Sequence, residues 1–197
     1  GQSTGRQLAG TGHIQKIKGS LMSARTDISL EESNERKEAV RVFDDLLSGV
    51  LSGKLEAERS GIMYKEEKID VPIDVRNVAS GLKTVLLIRR LIENGYLSRG
   101  DVFIIDEPEM NLHPEWQVIL AEFFVQMTDQ LGIRMLLNSH SPYFVRAVEV
   151  KLAGYGLADS GRYYLMQENE TGGMEAEDVT QKTELIYKKF YLPLEQL

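Results

Sequence analysis

The sequence of 197 residues contains no cysteine, so neither a disulfide framework nor a thiolate metal site can be built from it, and nothing in it calls for an oxidising compartment. It has no long hydrophobic run. Its longest apolar stretches, Thr84 to Ile88 and Val102 to Ile105, are a fraction of the roughly 20 residues that a membrane-spanning helix needs, and the first fourteen residues have no apolar core of a signal peptide. A soluble, cytoplasmic protein with no membrane partner is therefore expected. An excess of positive charge is also missing. The net charge is −7 and the pI about 5.1, which excludes a surface that is a polyanion glove throughout, because phosphate binding needs clustered Lys and Arg. Nucleic acid stays a possible partner that the charge does not support.

What is present is enough apolar sequence, 42%, to bury one substantial core. Residues 1–15 are rich in Gly, Ser, Thr and Gln and read as a flexible lead-in. Residues 30–55 carry Val40, Phe43, Leu47, Val50 and Leu51 at helical spacing, which predicts one amphipathic helix. Alternation over residues 61–75 (Ile62, Tyr64, Ile69, Val71, Ile73, Val75) predicts a small antiparallel hairpin, with Pro72 confining its later strand to an edge. Ser80 opens a second helix, and Gly95 stands where its C-terminus needs a left-handed residue.

The second half reads as strand, helix, strand. VFIID at residues 102–106 is a short continuous apolar run, the pattern of a strand buried on both faces of a parallel sheet. Pro114 starts a long helix through Trp116, Ile119, Leu120, Phe123, Phe124, Met127 and Leu131, and residues 133–137 form the next strand. Such a unit crosses over into a parallel sheet. A short helix over 143–148, a strand over 162–166, a Gly-rich turn at 171–173 and a last helix through Leu185, Ile186 and Phe190 follow. The expected division is 16–99 for a helical and hairpin subdomain and 100–197 for an α/β core.

Three segments carry chemistry. In FIIDEPEMNLHP, residues 103–114, two adjacent carboxylates end a strand at the edge where open α/β sheets bind ligands. Asp106 suits ordering Mg²⁺ through water, and Glu107 suits orienting an attacking water. Alternatively the pair merely ends a strand and caps a turn. In LLNSHSP, residues 136–142, His140 follows the next strand on that same edge and can donate a hydrogen bond to a phosphate oxygen, or simply hold its own loop. In NVASGLK, residues 77–83, a polar and glycine break leads into a helix whose N-terminus favours an anion, although a plain Ser cap has the same form.

The ordered set ASGLK, FIIDEPE, NLHP and LNSHSP resembles the signature, Walker B, D-loop and H-loop of the ABC ATPase superfamily. It is most similar to soluble, non-transporter members: AAA-type ATP-binding proteins, OLD-family ATPases and SMC-like repair ATPases. Transporter cassettes have a second glycine and a glutamine where this sequence has Leu82 and Lys83. The resemblance covers residues 30–197 and implies an α/β, partial P-loop NTPase (ABC-type) fold: a parallel sheet flanked by helices plus a helical and hairpin signature subdomain. It implies ATP and Mg²⁺ as cofactors, Asp106 as the residue ordering the metal, Glu107 as the catalytic base and His140 as the γ-phosphate sensor. It further implies that Ser80, Gly81 and Lys83 meet nucleotide held by a second subunit, and that Asn111, Leu112 and His113 line the seam of a homodimer.

No segment satisfies the phosphate-cradling pattern G-x-x-x-x-G-K-[ST]. The nearest, GVLSGKL at residues 49–55, is one residue short and ends in Leu where Mg²⁺ needs a hydroxyl. The Walker A half of the nucleotide domain is thus expected to lie outside this chain, which alone would bind ATP weakly or not at all. No room is expected for an appended Toprim nuclease domain. Two other readings stay open: a catalytically incomplete docking or regulatory module, and a metal-dependent phosphohydrolase using Asp106, Glu107, His113 and His140 directly as ligands.

Overall fold

The computed structural model describes residues 9–48, 53–58, 61–66, 72–77 and 80–192. The first described element is a helix, α1 (Ala9–Met22), which takes in residues 9–15 of the predicted lead-in. Its own sequence, with glycines at 10, 12 and 19, is a poor helix former. The helix is held by docking at its C-terminal end, where Leu21 is buried and the Asn94 amide donates to the carbonyls of Ser20 (2.8 Å) and Leu21 (3.2 Å). Residues 1–8 lie outside the described residues.

Helix α2 (Leu30–Leu47) starts at Ser29, whose hydroxyl accepts from the Glu32 N–H, with Glu31 and Glu32 facing the positive end of the helix dipole. It buries Ala39, Phe43 and Leu47, one stripe of helical spacing. The helix ends at Leu47 instead of running to residue 55, and Gly53–Glu58 is strand β1. Antiparallel pairing with β2 (Gly61–Glu66) places Leu55 opposite Tyr64, and both are buried beside Leu86. A Cβ on Gly53 would stand 2.5 Å from the Tyr64 ring and from the Lys65 carbonyl, so glycine is required for that approach. The predicted Val50, Leu51, Ile69 and Val71 positions lie outside the described residues. The expected hairpin is thus part of a three-stranded antiparallel sheet, and β3 (Ile73–Asp74), directly after Pro72, is its short edge.

A 3-10 turn at Val75–Asn77 precedes α3 (Ser80–Glu93), which buries Val85, Leu86, Ile88 and Ile92. Gly95 follows with φ +78°, the left-handed residue the sequence predicts. The βαβ unit is present as β4 (Val102–Asp106), α4 (Pro114–Leu131) and β5 (Arg134–Asn138). The two strands are parallel, with Val102 beside Arg134 and Asp106 beside Asn138.

Helix α5 (Pro142–Gly154) is twice the predicted short helix. It is followed by an antiparallel hairpin of β6 (Tyr164–Glu168) and β7 (Met174–Asp178), the second strand of which the sequence does not predict, and by α6 (Glu184–Tyr191). The Asn169 side-chain oxygen accepts from Thr171 N and Gly173 N and shapes the hairpin turn.

One core joins both sides of the division expected at residue 100. Phe43 of α2 meets Phe123 of α4 at 4.8 Å, Phe123 meets Phe124 at 5.9 Å, and Phe124 meets Phe144 of α5 edge-on at 6.2 Å. Full burial of each such ring stabilises by about 1.5–3 kcal/mol. Phe103 and Ile105 of β4 and Met135 and Leu137 of β5 pack down on this core. The opposite face of the two strands is not buried as predicted: Val102, Ile104 and Leu136 are 57%, 69% and 59% exposed. Among the described residues β4 and β5 pair only with each other, as do β6 and β7.

Candidate functional site

The C-terminal ends of β4 and β5 form one polar edge. Their parallel register sets Asp106 against Asn138, whose amide donates to Asp106 Oδ1 at 2.6 Å. Glu107 extends the ladder by one bond, its N–H donating to the Asn138 carbonyl at 2.9 Å. The chain then turns sharply. Glu107 has φ +44°, a left-handed conformation that costs a residue with a Cβ about 1–2 kcal/mol. The strain is sustained by the turn that follows, in which Met110 N donates to the Glu107 carbonyl and Leu112 N to the Glu109 carbonyl, both at 3.0 Å.

The consequence is the direction of the side chain. Glu107 Oε1 lies 3.3 Å from His140 Nε2, with both groups open to solvent. A carboxylate and an imidazole in contact can share a proton and orient a water between themselves and a third group. Asp106, exposed and with one oxygen engaged by Asn138, has the chemistry of a Mg²⁺ site. Mg²⁺ takes hard oxygen ligands and keeps most of its shell as water and substrate phosphate, so a single protein carboxylate fits it.

Among the described residues no group of three or more His, Asp and Glu side chains converges as a metal cage. His113 is engaged elsewhere: it caps α4, its Nδ1 accepting from the Glu115 N–H at 3.5 Å. The four-ligand phosphohydrolase arrangement is therefore not formed among these side chains.

The remaining predicted residues lie on two further elements. Ser80 and Gly81 form the first turn of α3, while the preceding Val78 and Ala79, and the Ser80 side chain, lie outside the described residues. Lys83, one turn on, donates to the Arg76 carbonyl at 3.0 Å. Arg76 is itself tied to Asp74 through its backbone N–H (2.8 Å) and guanidinium (2.6 Å), and these bonds hold the Asp74 carboxyl down at about 2. Asn111 has φ +63°, which asparagine tolerates better than other side-chain-bearing residues. Asn111 and His113 are exposed, and between them Leu112 is anchored against the core.

Two residues escape sequence reasoning. Asn138 is visible only once the register pairs it with Asp106. Glu109, 5% exposed, accepts from the Ser139 hydroxyl (2.5 Å) and the His140 N–H (3.1 Å) through Oε1, while its Oε2 is buried without a hydrogen-bond partner among the described residues. In DEPE it is one carboxylate among three, and only the folded proximity of two loops distinguishes it.

A family model described as "AAA domain, putative AbiEii toxin, Type IV TA system" matches residues 9–146. No curated protein matches the chain. Among solved structures, one from a study of the structural biochemistry of ATP-driven dimerization and DNA-stimulated activation of SMC ATPases aligns with a TM-score of 0.51 and 11% identity, covering 78% of this chain and 91% of that one. A crystal structure of an Smc head bound to the C-winged helix domain of ScpA aligns with a TM-score of 0.51 and 9% identity over 77% of this chain. The present chain covers 44% of that head. At such identities the likeness is one of fold, and the fold is that of SMC ATPase heads.

Proposed function

The chain belongs to this AAA-domain family, an ABC/AAA-type ATPase family, and on that premise we propose that it is the C-terminal portion of an ATP-hydrolysing domain that works as an ATP-gated homodimer. In this reading Asp106 orders Mg²⁺, Glu107 is the base that orients the attacking water, and His140 donates to the γ-phosphate. Ser80, Gly81 and Lys83 face nucleotide bound by the partner, and Asn111, Leu112 and His113 line the seam between subunits. Bound with ATP, Mg²⁺ neutralises charge on the phosphate oxygens. The observation that carries the reading is the left-handed Glu107, whose carboxylate meets His140 beside Asp106 on one sheet edge.

The Walker A segment is then to be supplied from outside these 197 residues. Two features support this: the apolar outer face of β4 and β5, and the unpaired outer edge that β5 presents among the described residues. Exposed strand edges and apolar faces are unfavourable unless something pairs with and covers them. A strand and helix carrying the phosphate cradle would do both. The ATP-driven dimerization named for the SMC ATPases supports the dimer, while the net charge of −7 lends nucleic acid no support.

The alternative, a docking or regulatory module of the same fold, draws on the lack of a P-loop motif in the sequence. An ATP titration of the chain alone and of the chain supplied with a P-loop polypeptide separates the two. The proposal expects no saturable binding by the chain alone, and micromolar binding with dimer formation when the cradle is supplied. Micromolar binding by the chain alone would overturn the composite site, and a supplied cradle that binds ATP without turnover would favour the docking module.

A further inference from the structure

Four polar residues outside the hydrolytic pair, together with the backbone of Leu112, close a ring between the two loops of the site. Leu112 N donates to the Glu109 carbonyl at 3.0 Å, and the Leu112 carbonyl accepts from Gln117 Nε2 at 3.0 Å. Gln117 Oε1 accepts from the Ser141 hydroxyl, Ser141 N donates to Ser139 Oγ at 3.1 Å, and Ser139 Oγ donates to Glu109 Oε1. The His140 N–H adds a second donor to that same Glu109 oxygen.

We propose that Glu109 is a positioning residue that locks the loop carrying His140 to the loop carrying Glu107 and the exposed 111–113 turn, so that displacement of that turn by a partner subunit is transmitted to His140. This rests on the reading of Glu107 and His140 as the hydrolytic pair.

Glu109 and Gln117 are both buried polar residues, and an apolar side chain of similar volume would fill the space of either at lower desolvation cost. What Glu109 adds is one oxygen that gathers two donors from a loop thirty residues away in sequence. Bonds to an ionised acceptor are the strong ones. The other oxygen takes no partner among the described residues, so the side chain is held from the His140 side. On the opposite side the ring ends at Leu112, which sits between Asn111 and His113. A push on the 111–113 turn therefore meets a hydrogen-bonded path to His140 that runs through the buried side chains of Glu109 and Gln117.

The test is amide hydrogen exchange in the 197-residue chain, comparing wild type with Glu109→Ala, Glu109→Gln and Ser139→Ala. The His140 amide is expected to exchange about tenfold faster in Glu109→Ala, for loss of a charge-assisted bond, while α5 amides keep their wild-type rates. Glu109→Gln, whose amide oxygen still accepts both donors, should restore most of the protection. If Glu109→Ala does not fold, Ser139→Ala removes one of the two bonds without touching a buried charge and should speed exchange at His140 and Ser141.

With the P-loop polypeptide supplied, Glu109→Ala should lower kcat about tenfold with KM for ATP unchanged, and Glu109→Gln should recover it. Wild-type exchange at His140 in folded Glu109→Ala, or in Ser139→Ala if that variant alone folds, would overturn the proposal. So would an unchanged kcat. Wild-type turnover by Glu107→Gln would instead overturn the hydrolytic pair while leaving the exchange result standing.

Discussion

Across the junction between α2 and α3, beside their shared apolar core, runs an ion pair whose two ends differ sharply in burial. The Arg89 side chain is 6% exposed and grips Asp44 with two bonds, Nε to Oδ1 at 2.5 Å and a terminal nitrogen to Oδ2 at 2.8 Å; the Asp44 side chain is 39% exposed. Burial lowers the guanidinium's tendency to stay charged, and the Asp44 carboxylate more than offsets this, leaving its pKa above the ordinary value. Removing one partner of a buried pair costs about 3–5 kcal/mol because the other charge is left without compensation.

Here Glu93 stays within 3.5 Å of Arg89 and Asp44 is partly solvated, so Asp44→Ala is expected to cost less, about 2 kcal/mol. The converse change should be milder. In Arg89→Met the thioether occupies the buried volume and the freed carboxylate turns to water, at about 1 kcal/mol or less. The double variant should resemble Arg89→Met alone. Urea denaturation measures all three, with the midpoints moving and the slope m unchanged. An Arg89→Met change at least as destabilising as Asp44→Ala would refute the claim that the guanidinium is the end that needs compensation.

Other expectations concern the α6 dock and the cap of α4. Burial raises the Glu149 pKa, but hydrogen bonds from Tyr187, Thr183 and Arg146, each at 2.8 Å, outweigh it and hold the carboxyl below its ordinary 4.5. A carboxyl depressed in the folded state contributes stability that is present above the unfolded value and lost as pH falls through the folded one. The melting-temperature gap between wild type and Glu149→Gln should therefore be open at pH 7 and close below 4.5; a gap that widens in acid would contradict the assignment. Gly132 ends α4 at φ +58°, with nothing nearer than 3.7 Å to an added Cβ. Gly132→Ala should thus cost about 1 kcal/mol, from backbone strain alone, and a neutral effect in thermal unfolding would argue against the left-handed cap. On the bare sheet face, Ile104→Gln should leave the isolated chain's stability within about 0.5 kcal/mol yet weaken its association with a supplied P-loop polypeptide; unaltered association would remove that face from the interface.

Where local pattern and tertiary contact agree, the sequence is a sufficient guide. The apolar run of β4, the 3.6-residue stripe of α4, Pro114 at its start and the left-handed Gly95 after α3 all appear where the pattern puts them. Disagreement arises where partners distant in sequence decide. The helix predicted over residues 30–55 stops short of its last residues, because pairing of residues 53–58 with 61–66 makes them a strand. Residues 9–22 lack helical pattern and are helical where Asn94 and the core take hold of the far end. Val102 and Ile104 read as buried on composition, yet nothing among the described residues covers them. At the site the motif residues Asp106, Glu107 and His140 are legible because each ends or follows a strand. Asn138 and Glu109 are not, because their roles exist only between loops.

The central claim is that Glu107 and His140 form the hydrolytic half of a composite ATP site. The most direct measurement is ATP turnover and dimer state for wild type and Glu107→Gln, each supplied with the P-loop polypeptide. The claim predicts turnover by wild type alone, with an ATP-dependent dimer that persists in Glu107→Gln. Equal turnover by the two proteins would contradict it.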